Sequence, residues 1–316
     1  GVRLARDTRA QLGSLAAGLA FVAALAAGDP GSAGRTLDVV DPVGSGAAAV
    51  SAAVPDVPAR VVGLADPEKV AKVVAAGPYA GFDTNVYPGD KAMKAWKAEG
   101  TYDWVGYYLA ASCHKDASWS GKRERLEAMG WGTAVVYVGQ QTWGRTPNPS
   151  AGVPAGTTCS ANLVSAEQGK KEAADAIAKT VAEGFAPGTV IFLDTEYMDG
   201  VPQAMRDYYT AWTDAVLADG RYRVGYYAHT KNAARIYTDV SEVFVRHGVR
   251  HAPQFWIAGG SNFHRAAEPS GVGHTFTAVW QGLLDTWERR NGVRLPIDVN
   301  VAAVPSPSSH EYATGD

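Results

Sequence analysis

Asp194 and Glu196 close the apolar run Val190-Ile191-Phe192-Leu193, separated from each other by Thr195. The run reads as a buried strand, and residues two apart on a strand share a face. Both carboxyls should therefore point one way and Thr195 the other. Two like charges so close cannot both ionise freely, so one carboxyl should hold its proton to higher pH, as a general acid must. A pair of carboxyls flanking a sugar–oxygen bond is the minimum machinery of glycoside hydrolysis.

These acids are not alone. Short runs rich in Val, Ile, Tyr and Trp recur at 80–85, 104–110, 132–139, 189–196, 223–228, 254–259, 277–281 and 296–301. Polar residues gather where the runs end: Asp83, Tyr108, Gln140, Tyr227 with His229, and Gln281. Trp256 lies on the sixth run, and Asp298 and Asn300 on the eighth. Helical segments separate several runs, at 122–129, 166–184 and 203–219. In the second of these, Ala174, Ile177, Ala178 and Val181 suggest an apolar stripe, with Lys and Glu opposite. Alternating strands and helices imply a mostly parallel sheet. Eight strands in about 220 residues match an α/β (β/α)8 TIM-type barrel, or a flattened, irregular version of one. In a barrel the polar ends would converge on one face. Tyr108, Tyr227, Trp256 and Trp280 would then be candidate platforms for sugar rings.

Composition narrows the function classes. The 316 residues carry 29 basic and 32 acidic side chains, a net charge of −3, so no nucleic-acid partner is expected. No G-x-S-x-G elbow, Walker loop or H-E-x-x-H motif occurs, and no metal or cofactor is expected. Residues 1–28 run from Arg3, Arg6 and Arg9 through an uncharged Ala/Leu stretch to Ala24-Leu25-Ala26. That order is a secretory signal, with a membrane anchor as the alternative. Residues 29–65 read as a flexible linker, 66–303 as the barrel and 304–316 as a disordered tail. Export would let the only two cysteines, Cys113 and Cys159, pair.

The ordered set GFDTN (81–85), VGYYLA (105–110), VVYVGQQ (135–141), VIFLDTEY (190–197), VGYYAH (224–229), FWIAGG (255–260), VWQ (279–281) and IDVN (297–300) resembles the glycoside-hydrolase-like barrel domain of secreted actinobacterial proteins. That domain of unknown function is related to the family 25 glycoside hydrolases, the lysozymes or N-acetylmuramidases. The resemblance implies Glu196 as general acid, Asp194 assisting, and Asp83 positioning the substrate or tuning the pair. It gives Asp298 a supporting role. Asn300, Tyr108, Gln140, Tyr227, His229, Trp256 and Gln281, by their places on or at the ends of the strands, are the candidate substrate contacts. The expected ligand is peptidoglycan or another N-acetylated cell-wall glycan, and a monomer is expected. FWIAGGSNFH carries no acid where the lysozymes often have one after strand six. The alternative is therefore a catalytically weak or inactive glycan-binding barrel of the cell envelope, and a purely structural envelope protein is a third reading.

Overall fold

The computed structural model describes residues 78–143 and 159–312. The signal segment and the linker read from the sequence lie outside the described residues. The chain runs β1 (Tyr79–Asp83), α1 (Asp90–Glu99), β2 (Trp104–Leu109), α2 (Arg123–Ala128), β3 (Gly132–Val138), α3 (Ala166–Ala182) and β4 (Val190–Thr195). It continues through α4 (Gln203–Asp219), β5 (Arg223–His229), α5 (Thr230–Arg246), β6 (Gln254–Ala258), β7 (Thr277–Arg290) and β8 (Val293–Ala302).

The eight strands close into a barrel in sequence order. Strands β1 to β7 pair in parallel, but β8 is antiparallel to both β7 and β1. The regular helix–strand alternation expected from sequence therefore stops after β6. A short 3-10 turn at Pro269–Val272 links β6 to β7, and a hairpin links β7 to β8. The hairpin turns at Asn291 and Gly292, both with positive φ (43° and 79°), as a tight two-residue turn requires. Strand β7 runs on to Arg290, well past the Gln281 at which its sequence pattern ends.

Strand alternation builds two apolar layers. Inside the barrel, Trp104, Ala134, Val136, Val190, Phe192, Trp256 and Val279 pack together. Trp256 meets Trp104 and Phe192 edge-on at 5.6 and 5.8 Å. Rings this large need bare backbone beside them: a Cβ on Gly81 would lie 2.1 Å from the Trp104 ring. Outside, Phe82, Tyr107, Tyr137, Leu193, Tyr226 and Phe255 face the helices.

Helix α3 buries a stripe that shares only Ile177 with the one its apolar residues suggest. Gly169, Glu172, Ala173, Ala176, Ile177 and Thr180 are buried, while Ala174, Ala178 and Val181 are exposed. An apolar count is a weak guide in an alanine-rich helix, because alanine sits on either face at little cost. The buried stripe carries a glutamate that has partners, described below.

Residues 304–312, read from sequence as part of a disordered tail, are bound across the foot of the barrel. Ser306 Oγ accepts from the Thr133 amide at 3.0 Å, and Ser308 Oγ accepts from the Val135 amide at 2.7 Å. Ser308 also donates its amide to Thr133 O and its hydroxyl to Val190 O, and its carbonyl accepts from the Val190 amide. Serine-rich sequence looks solvated, yet these hydroxyls complete the barrel's backbone hydrogen bonding. At the opposite end, Cys113 and Cys159 form a disulfide that ties the loop after β2 to the segment preceding α3.

Ending the chain after Ala303 removes five hydrogen bonds to the barrel. At about 1 kcal/mol net for each, unfolding in urea should show a loss of roughly 3–5 kcal/mol. Ser308→Ala alone, which strands the buried Val135 amide, should cost about 1–3 kcal/mol. An unchanged urea midpoint in both variants would mean that the segment is dispensable.

Candidate active site

The mouth of the barrel holds a small cavity of about 70 Å³. Asp83 enters from the end of β1, Asp194 from β4, Glu196 from the residue just past β4, and Asp298 from β8. Tyr108, Tyr227, Trp256 and Gln281 complete most of the wall. Because β8 runs antiparallel, it delivers Asp298 from mid-strand, directly opposite Asp83 in the register. Asp194 and Glu196 share this face as their spacing requires, and the outward Thr195 hydroxyl donates to Tyr227 O at 2.8 Å.

Asp83 is held by three donors. Tyr108 Oη donates to Oδ2 at 2.7 Å, while Gln281 Nε2 and Asn300 Nδ2 donate to Oδ1 at 2.9 and 2.8 Å. Each amide is itself oriented: Tyr227 Oη donates to Gln281 Oε1 at 2.6 Å, and Trp256 Nε1 donates to Asn300 Oδ1 at 2.8 Å. Burial raises the Asp83 carboxyl above its ordinary range, and these three donors offset only part of that rise. Asp194 has no such support. It is 6% exposed, and its Oδ1 has no hydrogen-bond partner. Burial, then the nearby Glu196 and Asp83, push it well above the usual carboxylate range. Glu196, partly exposed at the rim, is raised by burial and by Asp83. Burial and then Asp83 push Asp298 up to about 8, although the Asp285 amide donates to its Oδ1 at 2.6 Å. Four carboxyls thus share one cavity in whose wall, among the described residues, no lysine, arginine or histidine stands.

Behind the site lies a support that the sequence analysis missed. Gln141 Nε2 donates to Asp194 O at 2.8 Å, and Gln141 Oε1 accepts from the Glu196 amide at 3.0 Å. One side chain therefore sets the backbone that carries both acids. Its neighbour Gln140 faces away from the cavity, contrary to the substrate contact expected of it from its strand-end position. Its amide and Nε2 bind the buried Glu172 of α3 at 3.2 and 2.9 Å. Ser112, Gln168 and Tyr208 also donate to that carboxylate. Just past the end of β3, Gln140 and Gln141 bind on opposite sides, so the second serves the site and the first anchors it. A glutamate among the buried alanines of α3 was the only available signal.

Other residues singled out from sequence have structural places. Asn300 is wholly buried and meets Asp83 rather than open space. His229 caps α5, its Nδ1 accepting from the Lys231 amide at 3.2 Å, and lies edge-on to Tyr197 at the rim. Trp280 is buried on the outer side, donating to Gly259 O at 2.7 Å. The exposed aromatics on segments leaving the mouth are instead Trp143, Tyr197 and Trp287. Among the described residues no group of three acidic, histidine or cysteine side chains is arranged to hold a metal ion. His247 and His251 stand four apart, but His247 binds Asp214 at 2.9 Å and His251 packs on Phe244.

A family model described as "Rv2525c-like, glycoside hydrolase-like domain" matches residues 94–302, which include Asp194, Glu196 and Asp298. Among solved structures, an uncharacterized protein of B. stearothermophilus is 18% identical, over 71% of this chain and 95% of that one, with a TM-score of 0.48. The Mycobacterium tuberculosis Tat-secreted protein Rv2525c is 18% identical over 72% and 96%, with a TM-score of 0.41. The bacterial lysozyme from Streptomyces coelicolor is 15% identical over 72% and 92%, with a TM-score of 0.43. No curated protein sequence matches.

The raised carboxyls fix the sign of a pH effect. Asp298 binds its proton more tightly folded than unfolded, so its contribution is full below the ordinary value of 3.8 and is lost as pH rises towards about 8. Unfolding free energy, followed by urea titration, should fall across that window. Asp298→Asn, which keeps an acceptor for the Asp285 amide, should flatten the fall. An equally steep decline in the variant would assign it to other groups.

Proposed function

The chain belongs to the Rv2525c-like, glycoside hydrolase-like domain family, and we propose that it is a glycosidase acting on an amino-sugar glycan of the bacterial cell wall. The observation that carries this reading is the pair Asp194 and Glu196, set on one face at the barrel mouth with their backbone held by Gln141. Glu196 is the carboxyl at the rim, and burial raises its pKa as a proton donor needs. In this reading it protonates the leaving glycosidic oxygen. Asp194, deeper and without a donor, stabilises positive charge developing on the sugar ring. Asp83, clamped by Tyr108, Gln281 and Asn300, supplies a fixed negative field behind them. No step calls for a cofactor. The disulfide between Cys113 and Cys159 supports a working place outside the cytoplasm, where such bonds persist.

One observation favours the second reading, a glycan-binding barrel with little or no turnover. Strand β6 brings Trp256 to the cavity and no acid.

Incubation with purified peptidoglycan and a panel of wall glycans between pH 4 and 8, with new reducing ends read by mass spectrometry, separates the two. Wild-type protein should release fragments, and Glu196→Gln should slow release by about 10²–10⁴-fold with glycan affinity little changed. Glycan retained without release by either protein would establish the binding barrel instead.

A further inference from the structure

The cavity has spent its donors. Tyr108 donates to Asp83, Tyr227 to Gln281, the amides of Gln281 and Asn300 to Asp83, and the Trp256 indole to Asn300. What remains is acceptor, above all the buried Asp194 Oδ1 that no donor reaches. Three aromatic side chains, Tyr108, Tyr227 and Trp256, contribute to the wall, and among the described residues Val136 is its only aliphatic one. Such a lining discriminates between substituents of an amino sugar. An acetamide brings a carbonyl that needs a donor and a methyl that needs apolar surface. An ammonium brings three donors and no acceptor. It is attracted both to carboxylates and to aromatic faces. It also needs less room, which suits a cavity of about 70 Å³.

We propose that this cavity receives the free ammonium group of a de-N-acetylated amino sugar, so that the substrate class of the site is glycan bearing 2-amino rather than 2-acetamido residues. The proposal rests on the glycosidase reading of the same site. It also accounts for four carboxyls gathered without a basic side chain among the described residues, because a positive charge arrives with the ligand. Asp83, Asp194, Glu196 and Asp298, with the hydroxyls of Tyr108 and Tyr227, are the titratable groups facing it. In the empty cavity burial favours the protonated acids, and an entering cation favours the ionised ones. Binding should therefore release protons.

The test is calorimetric titration of the full chain at pH 6 with β-1,4-linked glucosamine tetramer and with its fully N-acetylated counterpart, in two buffers of different ionisation enthalpy. The amine tetramer should bind about tenfold more tightly, with proton release seen for it alone. Asp194→Asn should abolish the preference, and Asp298→Asn should weaken it in the same direction, so a folding defect in either variant leaves the other to decide. Equal or tighter binding of the N-acetylated tetramer, or a preference that survives both substitutions, overturns the proposal and leaves the glycosidase reading standing. Absence of binding to either tetramer, together with no fragment release from any wall glycan, removes both.

Discussion

Four carboxyls crowd one cavity with no basic side chain on its wall among the described residues, and much of the mouth is organised around them. A buried carboxylate is tolerable only where donors replace the water it has lost. Asp83 receives three, and supplying them engages β2, β7 and β8 together. Those donors must in turn be oriented, which engages Tyr227 on β5 and Trp256 on β6. Five strands are thereby tied to one carboxyl on a sixth. Asp194 is excluded from that arrangement, and burial, then Glu196 and Asp83, raise its proton affinity well above the usual carboxylate range. Neighbouring acids with unequal hydrogen bonding acquire unequal proton affinities, and that inequality is the chemical resource of the site.

The two apolar layers divide the labour of holding this arrangement. The inner layer of Trp104, Phe192 and Trp256 fills the barrel below the cavity and gives it a solid floor. The outer layer clamps helices against the strands, and within it Glu172 converts helix packing into site geometry. Its carboxylate fixes Gln140, and the next residue, Gln141, holds the backbone of Asp194 and Glu196. The irregular end of the barrel has its own consequence. Replacing the last helices by a hairpin lets β8 run backwards, so that Asp298 reaches the mouth from the middle of a strand.

Much of this was legible in the chain. Apolar runs ending in polar residues marked strands that meet at one rim, and the spacing of Asp194 and Glu196 fixed their common face because strand alternation is a local property. The convergence of Asp83, Tyr108, Tyr227, Gln281 and Asp298 followed from the barrel itself. The direction of β8 did not, since a run such as Leu295–Val301 alternates identically whichever way it is traversed. The opposed duties of Gln140 and Gln141, the buried face of α3 and the bound serines of 304–312 were also hidden. Each depends on a partner distant in the sequence: Glu172 for Gln140, Asp194 for Gln141, Val135 and Val190 for Ser308.

The sequence by itself therefore determined the fold class, the carboxyl pair and the ring of strand-end residues, because these follow from residue type and from periods of two and three to four along the chain. Only the tertiary structure decided which carboxyl is clamped and which is left without a donor, which amide serves the site, and that the cavity presents acceptors with no free amide or indole donor. Those properties arise from donors brought together across the barrel, and no local pattern encodes them.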